Sequence, residues 1–285
     1  MSGPAIVETA RGPIECAVAG AGAPLLALHG GMGGHDQSTL LARALIADER
    51  RHRVIAVSRP GYLGTGLSVG GSPEDQADAF AGLLDRLDIA STVVAAVSAG
   101  GPSALQFAIR HPERCRALIL VSACAGHLDT PAEILSRLRV MARFARVPGL
   151  SAFLGWRARR NPEAAAARAI PDPVLRASTM DDPVAGPLLR ALQASVFDRL
   201  ADRLPGRIND IARFGSLGPI ALESISAPTL VVHGRSDDIV PVSHAEVVLG
   251  VIAGAEGLLI ERAGHVALFT HLASVREKVA RYLTA

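Results

Sequence analysis

The stretch Val93–Val94–Ala95–Ala96–Val97–Ser98–Ala99–Gly100–Gly101 constrains this chain more than any other. A run of small and β-branched apolar residues, suited to a strand buried on both faces, stops at a serine. Pro102 and Ser103 follow, and Ala104–Arg110 has the spacing of a helix. Strand, serine and helix occupy so few residues that the turn between them must be sharp. Such a turn strains the backbone at its apex and tolerates only small residues two positions to either side. Here those residues are Ala96 and Gly100. A serine in this place is either an exposed nucleophile or a side chain that merely caps the next helix.

On both sides of this stretch the chain alternates buried strands with helices. Ala5–Thr9 and Ile14–Val18, around Arg11–Gly12–Pro13, read as an antiparallel hairpin. Pro24–His29 and Val54–Val57 are apolar strands, with helical spacing over Gln37–Ala47 between them and over Pro73–Leu87 after them. Arg116–Ser122 is a further strand. From about Ala125 to Ala221 no strand is evident, and helical runs such as Pro131–Phe144, Pro162–Ala169 and Pro187–Leu200 are separated by prolines. The alternation resumes at Ala227–His233, with a helix over Ser243–Ile252, a strand at Gly257–Ile260 and a last helix over Ala273–Leu283. The expected fold class is α/β, a mostly parallel central sheet with helices on both faces. Residues 1–124 and 222–285 form its core, and 125–221 form a helical cap, or lid.

A serine nucleophile needs a base, and the base needs an orienting acid. The glycine loop Gly30–Gly31–Met32–Gly33–Gly34 raises another chemistry, because glycine-rich turns can cradle phosphate. It fails as a dinucleotide fingerprint, since the register is imperfect and Ser58 stands where an acid should end the next strand. It lacks the lysine of a Walker loop. No cofactor and no metal are expected.

Four motifs in order resemble the α/β-hydrolase family. Ala96–Gly100 is similar to its nucleophile elbow, with alanine replacing the first glycine. His29–Gly30–Gly31 is similar to its H-G loop, which offers a backbone N–H to an oxyanion. Gly234–Pro241 resembles its acid loop, where the spacing selects Asp237 over the adjacent Asp238. Gly264–His265 resembles its base loop. Arg59–Pro60–Gly61–Tyr62 and His111–Pro112–Glu113 match structural turns of the family, and the likeness covers residues 5–122 and 227–284. The resemblance implies a Ser98, His265, Asp237 triad. It implies an oxyanion hole from the amides of Ala99 and Gly31, or of Met32 if the register slips by one. It further implies ester hydrolysis on a small or medium apolar substrate, in the manner of serine esterases. The same triad serves C–C hydrolases and aminopeptidases, and the histidine–glycine loop is also like that of proline iminopeptidases. Ser98 argues against the dehalogenases and epoxide hydrolases of this fold, which use aspartate. A non-catalytic ligand-binding protein is the reading from another class.

Composition narrows the partners. A net charge of +2 gives no case for nucleic acid, so a small-molecule substrate is expected, with a homodimer left open. Three separated cysteines (Cys16, Cys115, Cys124) imply reduced thiols. No apolar run reaches the ~18 residues of a membrane span. Met1–Ser2–Gly3–Pro4 lacks a secretory pattern, and a cytoplasmic location is expected. Nine arginines between Pro131 and Arg176 (137, 139, 143, 146, 157, 159, 160, 168 and 176) crowd the first part of the insertion and read either as a solvated face or as anion recognition. Phe144, Leu150, Phe153, Leu154 and Trp156 are its apolar candidates to line a pocket.

Overall fold

The opening pattern folds as an antiparallel hairpin, β1 (Ala5–Thr9) and β2 (Gly12–Ala19), turned through Gly12 at φ 119°. The computed structural model describes residues 3–284; Met1 and Ser2, on which the reading of the N-terminus partly rested, and Ala285 lie outside them. Six more strands follow: β3 (Ala23–Leu28), β4 (His52–Val57), β5 (Thr92–Val97), β6 (Cys115–Val121), β7 (Thr229–Gly234) and β8 (Glu256–Ile260). They form one sheet in the order β1-β2-β4-β3-β5-β6-β7-β8, with β2 antiparallel to both neighbours and every later pairing parallel.

The crossovers are α1 (His35–Leu45), α2 (Pro73–Arg86) and α3 (Gly101–Arg110). The N-terminus of α2 shows why it starts where it does: Pro73 fits the first turn, and the Ser72 hydroxyl accepts the Asp75 N–H at 3.1 Å. Between β6 and β7 lie six helices, α4 (Ala132–Phe144), α5 (Leu150–Arg160), α6 (Pro162–Ala169), α7 (Pro173–Asp181), α8 (Ala185–Ser195) and α9 (Leu200–Phe214). The chain ends in α10 (Ser243–Val251), the short α11 (Ala267–Thr270) and α12 (Leu272–Thr284).

Alternate strand residues face opposite sides, and both sides are covered, so the strands read as unbroken apolar runs. Leu26, Leu28, Val94, Ala96 and Leu118 pack with Phe80, Leu84 and Phe107 of α2 and α3. Leu25, Ala27, Val93, Ala95 and Ile119 pack with Leu41, Leu45, Val275 and Val279 of α1 and α12. Fully burying one such side chain is worth about 1.5–3 kcal/mol. The α/β fold class is as expected.

Proline does not always break the insertion as expected. Pro162 and Pro173 do open helices, capped by Asn161 and Asp172. The expected helix Pro187–Leu200 is instead two elements. Helix α8 ends at Ser195, and Arg199 at φ 53° reverses the chain into α9. Pro187 lies in the first turn of α8, where no N–H is needed. Pro205 lies inside α9 and opens its backbone there. The Gly206 N–H leaves the helical ladder and donates to Gly61 O at 2.8 Å, while Asp202 O accepts the Leu63 N–H at 2.8 Å. The turn after β4 thus inserts its own backbone into the missing rung of α9. A Cβ on Gly206 would stand 2.3 Å from the Tyr62 ring, so this docking needs glycine there.

Candidate active site

β5 ends in the sharp turn expected of it. Ser98 has φ 52°, a left-handed conformation costing a non-glycine residue about 1–3 kcal/mol. Asp237 follows β7 and His265 follows β8, so all three residues stand past the C-terminal ends of parallel strands. The turns bring them together. The Ser98 hydroxyl donates to His265 Nε2 at 3.1 Å, and His265 Nδ1–H donates to Asp237 Oδ2 at 2.8 Å. Because Nδ1 faces the carboxylate, Nε2 is the bare nitrogen that can take the serine proton.

Asp237 is buried while Asp238 is exposed. Burial pushes the Asp237 carboxyl up, but the His265 hydrogen bond and charge, with the N–H groups of Val240 and Ile239, hold it below its ordinary value. His233, unmarked by the motifs, is a second support. Its Nε2 donates to Val240 O at 2.9 Å and lies 3.4 Å from Asp237 Oδ2. Its place one residue before Gly234 was the available signal.

The glycine loop is held from the other side. His29 Nε2 accepts the Arg59 backbone N–H at 2.9 Å, which leaves Nδ1–H to donate to Gly30 O at 2.6 Å. Burial, then the nearby Arg59 charge, keeps this histidine neutral, well below its ordinary range. With the Gly30 carbonyl tied to His29, the trans peptide aims the Gly31 N–H the opposite way. Gly30 itself faces the serine: a Cβ there would lie 3.1 Å from Ser98 Cβ. Met32 has φ 62°, and its carbonyl accepts from Gln37 at 3.3 Å and Arg203 at 3.2 Å. Ala99 follows Ser98 and is buried.

Arg59 does more than shape a turn. Fully buried, it forks onto Asp210 of α9 at 3.2 and 2.6 Å, and its Nε donates to His29 O at 2.9 Å. The Tyr62 hydroxyl donates to the same carboxylate at 2.5 Å.

A cavity of about 350 Å³ opens at Ser98, walled by Cys124, Ile134 of α4, Val240, and Arg207, Ile211 and Phe214 of α9. The expected wall is thereby corrected. Phe144, Phe153 and Trp156 are 58%, 54% and 48% exposed, and neither they nor Leu150 and Leu154 line this cavity. The inward stripe of α5 runs through Leu150, Leu154 and Ala158, so Phe153 and Trp156 point to solvent. None of the nine arginines between Pro131 and Arg176 lines it; eight are exposed and Arg176 is half-buried. Burial pushes the Cys124 thiol up to about 11, consistent with a lining role. Among the described residues, no group of three His, Cys, Asp or Glu side chains could hold a metal, and no helix is long and apolar enough to cross a membrane.

This arrangement of sheet, serine turn and paired loops is that of a known class. The profile of the alpha/beta hydrolase fold matches residues 23–272, and the chain belongs to that family and is a hydrolase. An alpha/beta hydrolase fold protein from Nakamurella multipartita superposes with a TM-score of 0.82 at 32% identity, over 98% of each chain. The uncharacterized hydrolase YcgS of Bacillus subtilis is 30% identical over 89% of this chain and 88% of its own. The 2-hydroxy-6-oxononadienedioate/2-hydroxy-6-oxononatrienedioate hydrolase of Paraburkholderia xenovorans is 29% identical over 75% of this chain and 69% of its own.

Proposed function

We propose that the chain is a serine hydrolase that transfers an acyl group to water, with carboxylic esters as its substrates. The observation that carries this reading is the unbroken hydrogen-bonded series Asp237–His265–Ser98 at the mouth of a cavity. In this mechanism the Ser98 hydroxyl attacks the acyl carbonyl as its proton passes to His265 Nε2. Asp237 holds the ring in the reactive tautomer and stabilises the imidazolium. The Ala99 and Gly31 amides receive the oxyanion, Gly31 being favoured over Met32 by the tie between His29 and Gly30 O. The imidazolium then protonates the leaving group, and water repeats the sequence on the acyl-enzyme. Residues 125–221 act as a lid over the core formed by 1–124 and 222–285, with Ile134, Arg207, Ile211 and Phe214 as its contribution to the cavity.

An organophosphonate should label Ser98 and leave Ser98→Ala unlabelled; a label on another serine removes the reading. Asp237→Asn should lower turnover on the order of 10⁴-fold, and Asp238→Asn by less than about threefold. Reversed penalties would transfer the acid role to Asp238. A second reading, C–C bond hydrolysis of an oxo acid by the same three residues, is favoured by the likeness to the Paraburkholderia hydrolase. Turnover of a dioxo-acid substrate measured beside alkyl esters separates the two.

A further inference from the structure

No motif marks Arg207, yet it is the cation in the Ser98 cavity. Its guanidinium lies against Gly31, where a Cβ would stand 2.8 Å from Nη1 and 3.2 Å from Cδ. The preceding residue, Gly30, faces the nucleophile, and a Cβ there would stand 3.6 Å from Ser98 Oγ. Adjacent Cα atoms are about 3.8 Å apart. Hydroxyl and guanidinium therefore rest on consecutive residues of one loop and open into one cavity.

Arg207 is half-buried and, among the described residues, has no hydrogen-bond or ion-pair partner. Its neighbours on the same side of the molecule are all engaged. Arg59 holds Asp210, Arg203 holds Asp36 at 2.6 Å, Arg199 holds Glu15 and Asp202, and Arg213 holds Gly71 O. Two carboxylates share the cavity lining, and neither pairs with it. Asp129 is bound by His127 at 2.9 Å, and Asp238 is exposed. A guanidinium carries five donors in a planar fork suited to a carboxylate. Withdrawing it from water with no acceptor is costly unless a ligand supplies one. The docking of Gly206 on Gly61 and of Asp210 on Arg59 fixes the helix backbone on both sides of Arg207, so the side chain projects from a fixed base beside Gly31.

We propose that Arg207 is a specificity-determining residue that binds a carboxylate of the substrate, so the chain prefers anionic acyl compounds with that carboxylate a few bonds from the scissile carbonyl. The half-esters of short dicarboxylic acids and the short oxo acids are of this class. The proposal rests on the serine hydrolase reading of the same cavity and deepens it. It also replaces the nine arginines between Pro131 and Arg176 as the place of anion recognition.

The test compares monomethyl succinate with methyl pentanoate, a neutral ester of similar length, by methanol release. The wild-type chain should favour the anionic ester at least about 10-fold in kcat/KM. In Arg207→Gln the ratio of the two kcat/KM values should fall at least about 30-fold, mostly through KM, and Arg207→Lys should restore part of it. Thermal unfolding of each variant checks the fold. A readout apart from turnover is binding of monomethyl succinate to Ser98→Ala by calorimetry, which should vanish when Arg207→Gln is added. Ester turnover with a ratio unmoved by Arg207→Gln, or an equal loss on both esters, overturns the proposal and leaves the serine hydrolase reading standing. Binding that depends on Arg207 in a chain whose Ser98 takes no phosphonate supports the anion site and overturns the hydrolase reading instead.

Discussion

Helices α4 and α9 belong to the same insertion and both wall the cavity, but they are held by different physics. The thirteen residues of α4 include none that is fully buried, and its inward stripe is only Leu135, Leu138 and Ala142. Ile134, Val140, Met141 and Phe144 are left in solvent. Helix α9 buries Leu200, Leu204, Ile211 and Phe214. It adds the Arg59–Asp210 and Arg203–Asp36 pairs and two backbone bonds to the turn at Gly61–Leu63. A segment can be an insertion in sequence while its last helix is part of the core in energy. The side of the cavity that carries Arg207 is therefore rigid, and the side that carries Ile134 is soft.

The largest test of this contrast removes the clamp. Asp210→Ala leaves Arg59 buried without its anion, and unfolding by denaturant should show a loss of about 3–5 kcal/mol. A loss below about 1 kcal/mol would mean that α9 is no better anchored than α4. Gly206→Ala drives a methyl group into the Tyr62 ring and should cost about 1–3 kcal/mol, with faster amide exchange in α9.

The third test uses pH. Glu15 of β2 faces the start of α9, where Arg199 reaches it at 3.2 Å. Burial pushes its carboxyl up, but hydrogen bonds from His35, Gly64 N–H and Ser58 overcome this and hold it at about 2, against an ordinary 4.5. A depressed carboxyl stabilises the fold fully above its unfolded value and loses that contribution as pH falls through its folded one. Stability should therefore drop between about pH 4.5 and 2, and Glu15→Gln should flatten that limb while costing about 1–3 kcal/mol at pH 7. An unchanged limb would place the acid sensitivity elsewhere.

The smallest effects belong to α4. Phe144→Ser and Trp156→Ser on the neighbouring α5 should each change stability by no more than about 0.5 kcal/mol. Amides of α4 should exchange well before those of α9. A loss of more than about 2 kcal/mol at Phe144 would show the soft side to be packed after all.

The residues brought together at Ser98 were legible because each sits in a short turn whose chemistry is local. A serine between small residues, an aspartate three past a glycine and a histidine after a glycine each follow a recognisable strand. The sheet was legible for the same reason, since burial on both faces writes long apolar runs. Arg207 was not, because its neighbours Gly30, Gly31 and Ser98 lie more than a hundred positions earlier in the chain. Helix α9 was obscured by Pro205, beside which the Gly206 N–H and the Asp202 carbonyl find their partners in a turn far away in sequence. The aromatic residues of α4 and α5 misled for a related reason. Size and hydrophobicity suggest an interior, but position on the helix puts Phe144, Phe153 and Trp156 outside.

The Arg59–Asp210 pair also bears on how the protein is made. The two partners are separated by 151 positions, so during synthesis the cation emerges long before its anion. An N-terminal product ending before residue 210 would have to enclose Arg59 unneutralised, at a cost of several kcal/mol. Such a fragment should stay open and chaperone-bound until α9 leaves the ribosome. The same arithmetic limits trimming by protein engineers. Excising residues 132–160 would uncover Leu200 and Leu204, which pack against Leu138, Ala142, Ala145 and Leu154, whereas a deletion reaching Asp210 removes the anion that neutralises buried Arg59.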